Sequence, residues 1–148
     1  MSVLIFIDTA EGQIKKSSLE AACYGAKVAE QLGQQANAVV LGTTTDDLSS
    51  LGKYGVKKVY HVNDEKLNGL DAQVYTNVIA QVAEKAGAQI IVFSHNLNGK
   101  AIAPRLSARL KAGLVAGAVA LPDTANGFTV RKNVFSGKSI CQRICCNR

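Results

Sequence analysis

The 148-residue chain contains no tryptophan, one methionine, two prolines and only four Phe and four Tyr. So few aromatics make a poor base-stacking surface, which argues against a nucleic-acid binder. No apolar run approaches the ~20 residues that cross a bilayer, so membrane insertion is not expected. The opening Met1-Ser2-Val3-Leu4-Ile5-Phe6-Ile7-Asp8 lacks a basic start and reads as a strand, not a signal peptide. A cytoplasmic location is the expectation. Phosphate signatures are missing too. Gly99-Lys100 is followed by Ala101 and has no glycine five positions earlier, so it is not a P-loop. There is no G-x-G-x-x-G after the first strand, no Ser-Gly-Gly run and no G-x-S-x-G elbow. No carboxylate pair stands at a telling spacing, so no catalytic constellation is expected and the chain does not read as an enzyme. Cysteine is scarce and unevenly placed. Cys141, Cys145 and Cys146 lie in the last eight residues and Cys23 stands alone. No second pair completes a four-ligand metal site, and His61 and His95 are far apart in sequence.

The net charge of +6 is local. Arg131, Lys132, Lys138, Arg143 and Arg148 carry it, with no acid among them, and the remaining chain has 12 basic and 11 acidic residues. A nucleic-acid face needs its excess charge on the folded body, so a terminal excess points away from that class.

What is present is an alternation. Val3 to Asp8 is a buried strand by composition. Ser17 or Ser18 is placed to cap a helix whose apolar positions are Leu19, Ala22, Cys23, Ala26, Ala29 and Leu32, stopped at Gly33. Cys23 is thereby expected to be buried. Ala36 to Gly42 is a second strand, a short helix reaches about Tyr54, and Lys57 to Val62 is a third strand. Asp71 caps a long helix with a stripe at Val74, Val78, Val82 and Ala86, closed by Gly87. Gln89 to Phe93 is a fourth strand. A helix follows with Ile102, Leu106 and Leu110 on its seam; Pro104 belongs in its first turn and Gly113 at its end. Leu114 to Leu121 reads as a fifth strand. Asn126-Gly127 is a hairpin signal before Phe128-Thr129-Val130, and Val134-Phe135-Ser136-Gly137 starts one more strand. The pattern predicts a three-layer α/β/α domain with a mainly parallel sheet and a terminal antiparallel β-meander.

Ligands of such sheets bind at the carboxyl ends of the strands, where strand order reverses. That singles out the loops after the first and fourth strands. Asp8, Gly12, Ser94, Asn96, Gly99 and Lys100 are the candidates for a nucleotide or anion groove. Ser, Asn and Gly are equally good turn formers, so the loops also read as plain turns. Arg105 and Arg109 share one helix face and are candidates for a partner surface or a solvated face.

The start Val3-Leu4-Ile5-Phe6-Ile7-Asp8, the run Ala103-Pro104-Arg105-Leu106-Ser107-Ala108-Arg109-Leu110-Lys111-Ala112-Gly113-Leu114-Val115, and Asn126-Gly127-Phe128 leading to Val134-Phe135-Ser136-Gly137-Lys138 come in a telling order. In this order they resemble the amino-terminal domain of the electron transfer flavoprotein alpha subunit, from Met1 to about Lys138. The resemblance implies an adenine nucleotide alpha hydrolase-like fold. It implies a scaffold that contacts a beta subunit. It also implies that the full heterodimer carries electrons through FAD, from dehydrogenases to a quinone oxidoreductase or another acceptor. The flavin would be held mainly by a second alpha domain, so no cofactor-binding residue is expected in residues 1–138. Residues 139–148, basic and cysteine-rich, depart from the family pattern and are expected to form an atypical tail, as in a truncated or frame-shifted product. Self-association of such a chain is also expected, because the surface for the beta subunit is left uncovered. The alternative is a free-standing adenine-nucleotide-binding module of the stress-protein type, binding AMP or ATP near Asp8 and Lys100.

Overall fold

The computed structural model describes residues 1–125, 127–134 and 139–144, with side chains described as far as Lys132. Strands β1 (Ser2–Ile7), β4 (Gln35–Leu41), β5 (Lys58–Val62) and β6 (Ala88–Val92) form a parallel sheet in the order β5-β4-β1-β6. A short antiparallel hairpin, β2 (Thr9–Ala10) with β3 (Gln13–Ile14), follows β1. Helix α1 (Lys16–Gln31) links β1 to β4. Helix α2 (Ala72–Ala86) links β5 to β6, and α3 (Leu97–Leu110) follows β6. A second antiparallel pair, β7 (Thr129–Val134) with β8 (Ser139–Ile144), ends the fold.

Alternation along β1 sorts the core. Val3, Ile5 and Ile7 face α1, together with Ala22, Val28 and Val40. Leu4 and Phe6 face α2 and α3, with Ile79, Ile102 and Leu106. Every residue of β1 is buried, as a central strand covered on both faces must be. The three layers and the parallel sheet expected from the alternation are therefore present. The chain lays β4 and β5 on one side of β1 and then crosses to place β6 on the other. The strand order reverses between β1 and β6, which makes that gap the ligand position of an open parallel sheet.

Several local expectations need correction. Cys23 is exposed; the buried line of α1 runs through Ser18, Ala21, Ala22, Gly25, Val28 and Ala29. At about 100° per residue, Cys23 lies just off that face. The α1 N-cap is Lys15, not Ser17 or Ser18. The buried face of α2 lies one residue beyond the expected stripe, at Tyr75, Thr76, Ile79, Ala80 and Ala83, and Val74 is exposed. Tyr75 and Thr76 tolerate burial because their hydroxyls donate to the carbonyls of Leu67 and Ala72. Helix α3 starts earlier than Pro104 suggested: Asn96 caps it through the Gly99 N–H at 2.8 Å, leaving Pro104 in mid-helix. It stops at Lys111, whose φ is 51°, rather than at Gly113.

Leu114 to Leu121 is not a strand. Gly117 turns the backbone to φ 72°, and the segment makes one antiparallel bridge, Ala118 opposite Lys132. The hairpin turn between Asp123 and Thr129 closes with reciprocal bonds of 2.8 and 2.9 Å; Asn126 lies outside the described residues. So do Phe135, Ser136 and Gly137 of the expected last strand, and Lys138, Cys145 and Cys146. Residues Ser139–Ile144, part of the expected atypical tail, pair in register with Thr129–Val134.

Candidate functional site

The polar groups at the β1–β6 reversal converge on Asp8, one residue past β1 and 4% exposed. A carboxylate so buried has to be paired and hydrogen-bonded. Lys15 Nζ meets Asp8 Oδ2 at 2.7 Å. Asn96 Nδ2 donates to Oδ2 at 3.0 Å, and Asn98 Nδ2 donates to Oδ1 at 3.0 Å and Oδ2 at 2.9 Å. The backbone is held as well. The Asp8 N–H donates to Ser18 Oγ at 2.8 Å, and the Asp8 carbonyl accepts from Ser18 Oγ at 3.1 Å and from the Lys15 N–H at 3.1 Å. One aspartate thus joins the end of β1, the approach to α1, and the loop between β6 and α3.

The remaining candidates take structural places around this hub. Gly12, at φ 82°, presents its carbonyl to the Thr45 N–H at 2.9 Å and to Thr44 Oγ1 at 2.7 Å. Its neighbour Ile14 donates its N–H to Asp46 Oδ2 at 2.7 Å, so the β2–β3 hairpin is pinned to the loop after β4. Gly99 packs against the Ser94 carbonyl so closely that a Cβ there would collide with backbone. Ser94 Oγ is buried and has no hydrogen-bond partner among the described residues. Lys100 is exposed, and among the described residues its ammonium has no partner.

Asp8 and Asn96, which sequence reasoning offered as ligand groups, are thus bonded to each other. Lys15, Ser18 and Asn98 complete the hub and were not among the candidates. Their signal was indirect. Once β1 and β6 are neighbours, the loops after them must meet, and loop amides become partners for any carboxylate there.

Arg105 and Arg109 divide. Arg105 Nη1 donates to its own helix at the Ala101 carbonyl, 3.3 Å away. Arg109 Nη1 reaches Asn77 Oδ1 on α2 at 2.7 Å and so clamps two helices. His61 Nε2 lies 2.8 Å from the Gly42 carbonyl, and His95 is exposed. Among the described residues no group of three or more His, Cys, Asp or Glu could hold a metal ion. No described helix is long and apolar enough to cross a membrane.

Burial raises the Tyr75 phenol above its ordinary range, with a smaller contribution from the Asp8 charge. The exposed Asp47 carboxyl is lowered, chiefly by the hydroxyl and N–H of Ser49 that it accepts from.

Fold and site together define a parallel α/β domain whose reversal point holds a buried aspartate bonded to Lys15, Asn96 and Asn98. The family model for the electron transfer flavoprotein domain matches residues 3–148, and the chain belongs to that family. It is 30% identical over 146 residues to the electron transfer flavoprotein subunit alpha of Clostridium acetobutylicum, covering 97% of this chain and 44% of that protein. It is 28% identical over 145 residues to protein FixB of Clostridium saccharobutylicum, covering 97% and 43%. The chain therefore spans less than half the length of these relatives. The match continues through Arg148, across the basic, cysteine-rich end. Among solved structures, the universal stress protein of Archaeoglobus fulgidus in complex with dAMP has a TM-score of 0.48 and 14% identity. The alignment covers 71% of this chain and 90% of that one.

Proposed function

We propose that this chain serves as the amino-terminal scaffold of an electron transfer flavoprotein alpha-type subunit and contacts a beta-type subunit. Residues 1–138 act as the domain proper, with 139–148 as its atypical basic end. In the full assembly FAD carries electrons from dehydrogenases to an acceptor, and the flavin is held mainly by parts of the subunit other than residues 1–138. The observation that carries this reading is the family match over residues 3–148, and the bonding at the β1–β6 crevice agrees with it. The Asp8 carboxylate is taken up by Lys15, Asn96 and Asn98. Those donors are engaged by Asp8, which supports a structural use of the crevice over a nucleotide or flavin phosphate site. Arg105 is exposed and, among the described residues, bonds only to its own helix, which makes it the better of the two arginines for the partner surface.

Two outcomes test this. The purified chain, incubated with FAD and desalted, is expected to show no isoalloxazine absorption. With an electron transfer flavoprotein beta subunit it is expected to form a one-to-one complex by light scattering. A stoichiometric yellow protein, or no complex, overturns the scaffold. The second reading is an adenine-nucleotide module; micromolar heat with AMP or ATP would favour it.

A further inference from the structure

Helix α3 carries two apolar lines. The inner one, Ile102 and Leu106, is buried in the core that Leu4, Phe6 and Ile79 share. The outer one is Leu97, Ala101, Pro104 and Ala108, at spacings of four, three and four. At about 100° per residue these four fall within an arc of ~60° on the far side of the helix. Leu97 is 82% exposed, Pro104 and Ala108 are exposed, and Ala101 is half-buried. A single exposed leucine is ordinary. An exposed apolar line with a mean repeat of 3.5 residues is the kind of seam that a second helix fills.

The charges beside this seam have one sign. Lys100 borders it on one side and Arg105 on the other, at the two flanking positions that meet a partner when helices pair. Lys111 stands at its carboxyl end. Among the described residues the Lys100 ammonium has no partner, and Arg105 bonds only the Ala101 carbonyl of its own helix, at 3.3 Å. From residue 85 to residue 122 the chain holds five Lys and Arg and no Asp or Glu. No acid on α3 competes for these cations, so an incoming carboxylate meets them with little existing bonding to displace.

We propose that the outer face of α3 docks an acidic amphipathic helix of a protein partner. The apolar stripe of that helix lies on Leu97, Ala101 and Ala108, and its carboxylates meet Lys100 and Arg105. A second copy of this chain is the wrong occupant, because two paired α3 helices set cation against cation. A membrane surface calls for a broader apolar face than one leucine, one proline and two alanines provide. The face makes this demand of any partner, whether or not a beta-type subunit is the one that meets it.

The probe is a fluorescein-labelled peptide of three heptads, with leucine along its seam and glutamate on both flanks. Fluorescence anisotropy at low salt is expected to show saturable micromolar binding, weakened several-fold in about 0.5 M salt. Ala108→Glu and Arg105→Glu alter exposed positions and are each expected to weaken it at least tenfold with the circular dichroism unchanged. Lys53→Glu, in the short helical turn packed on the α1 side of the sheet, removes an exposed cation away from the seam and is expected to leave binding within twofold. A peptide with lysine on its flanks is expected to prefer Arg105→Glu to the unaltered chain. No binding, equal binding of a scrambled acidic peptide, or an equal loss in Lys53→Glu overturns the seam. Binding of anionic vesicles or duplex DNA that Ala108→Glu abolishes, while the peptide binds no better than its scrambled form, also overturns it.

Discussion

Asp8 concentrates more of the structure than any other polar residue described. Asp8→Ala removes the acceptor of three side chains in a buried setting and is expected to destabilise the fold by about 3 kcal/mol. Lys15 keeps about a third of its side chain in water, so Lys15→Met is expected to cost only about 1 kcal/mol. Urea midpoints at unchanged slope measure both. Glycines offer a second contrast. Gly99→Ala drives a Cβ into the Ser94 carbonyl, whereas Gly52→Ala meets nothing within 4 Å. The first is expected to lose about 1–3 kcal/mol and the second almost nothing.

Tyr75 sets an alkaline limit. Its folded-state pKa is raised, so the unfolded chain loses the proton first as pH rises through the ordinary tyrosine value of about 10. The contribution of neutral Tyr75 is complete below that value and is lost as pH climbs through the folded pKa. Tyr75→Phe forfeits the bond to Leu67 and is expected to be about 1 kcal/mol less stable at neutral pH. Its stability should fall less steeply above pH 10, as alkaline urea titrations would show.

At the scale of elements, α3 carries an uncompensated flaw. Pro104 stands in mid-helix on the exposed side, where it removes one backbone donor. Pro104→Ala is expected to raise stability by about 1–3 kcal/mol, read from the thermal midpoint. A start for this helix near Pro104 was a reasonable reading of the sequence. The Asn96 cap overrode it because Asn96 is positioned by Asp8, a partner 88 residues away. The same contrast separates what was legible from what was not. The central strands β1 and β4, the C-terminal end of α1 and both ends of α2 follow from local runs, glycine stops and the Asp71 cap. The rotation of α2 was missed because Tyr75 and Thr76 look polar until their acceptors are known. Leu114–Leu121 has strand composition, but a strand also needs a neighbour and straight backbone, and Gly117 withholds the second. For the site, the two loops could be chosen from topology alone. That their side chains would satisfy one another depended on Lys15 and Asn98, whose roles exist only in three dimensions.

At the scale of the whole molecule, the sheet is asymmetric and its reversal point is bonded internally. The charged β5 strand ends the described sheet on one side, and the uncharged β6 strand ends it on the other. At the position where an open parallel sheet takes a ligand, Asp8 joins the loop after β1 to the loop after β6. The structural role proposed for this chain, and the redox chemistry proposed for the assembled protein, both start from its membership in the electron transfer flavoprotein family. Isothermal titration of the purified chain with AMP tests the structural use of the crevice most directly. No saturable heat up to millimolar nucleotide is the expected result. Saturable micromolar binding that disappears in Asp8→Ala, with that variant still folded by circular dichroism, would contradict it.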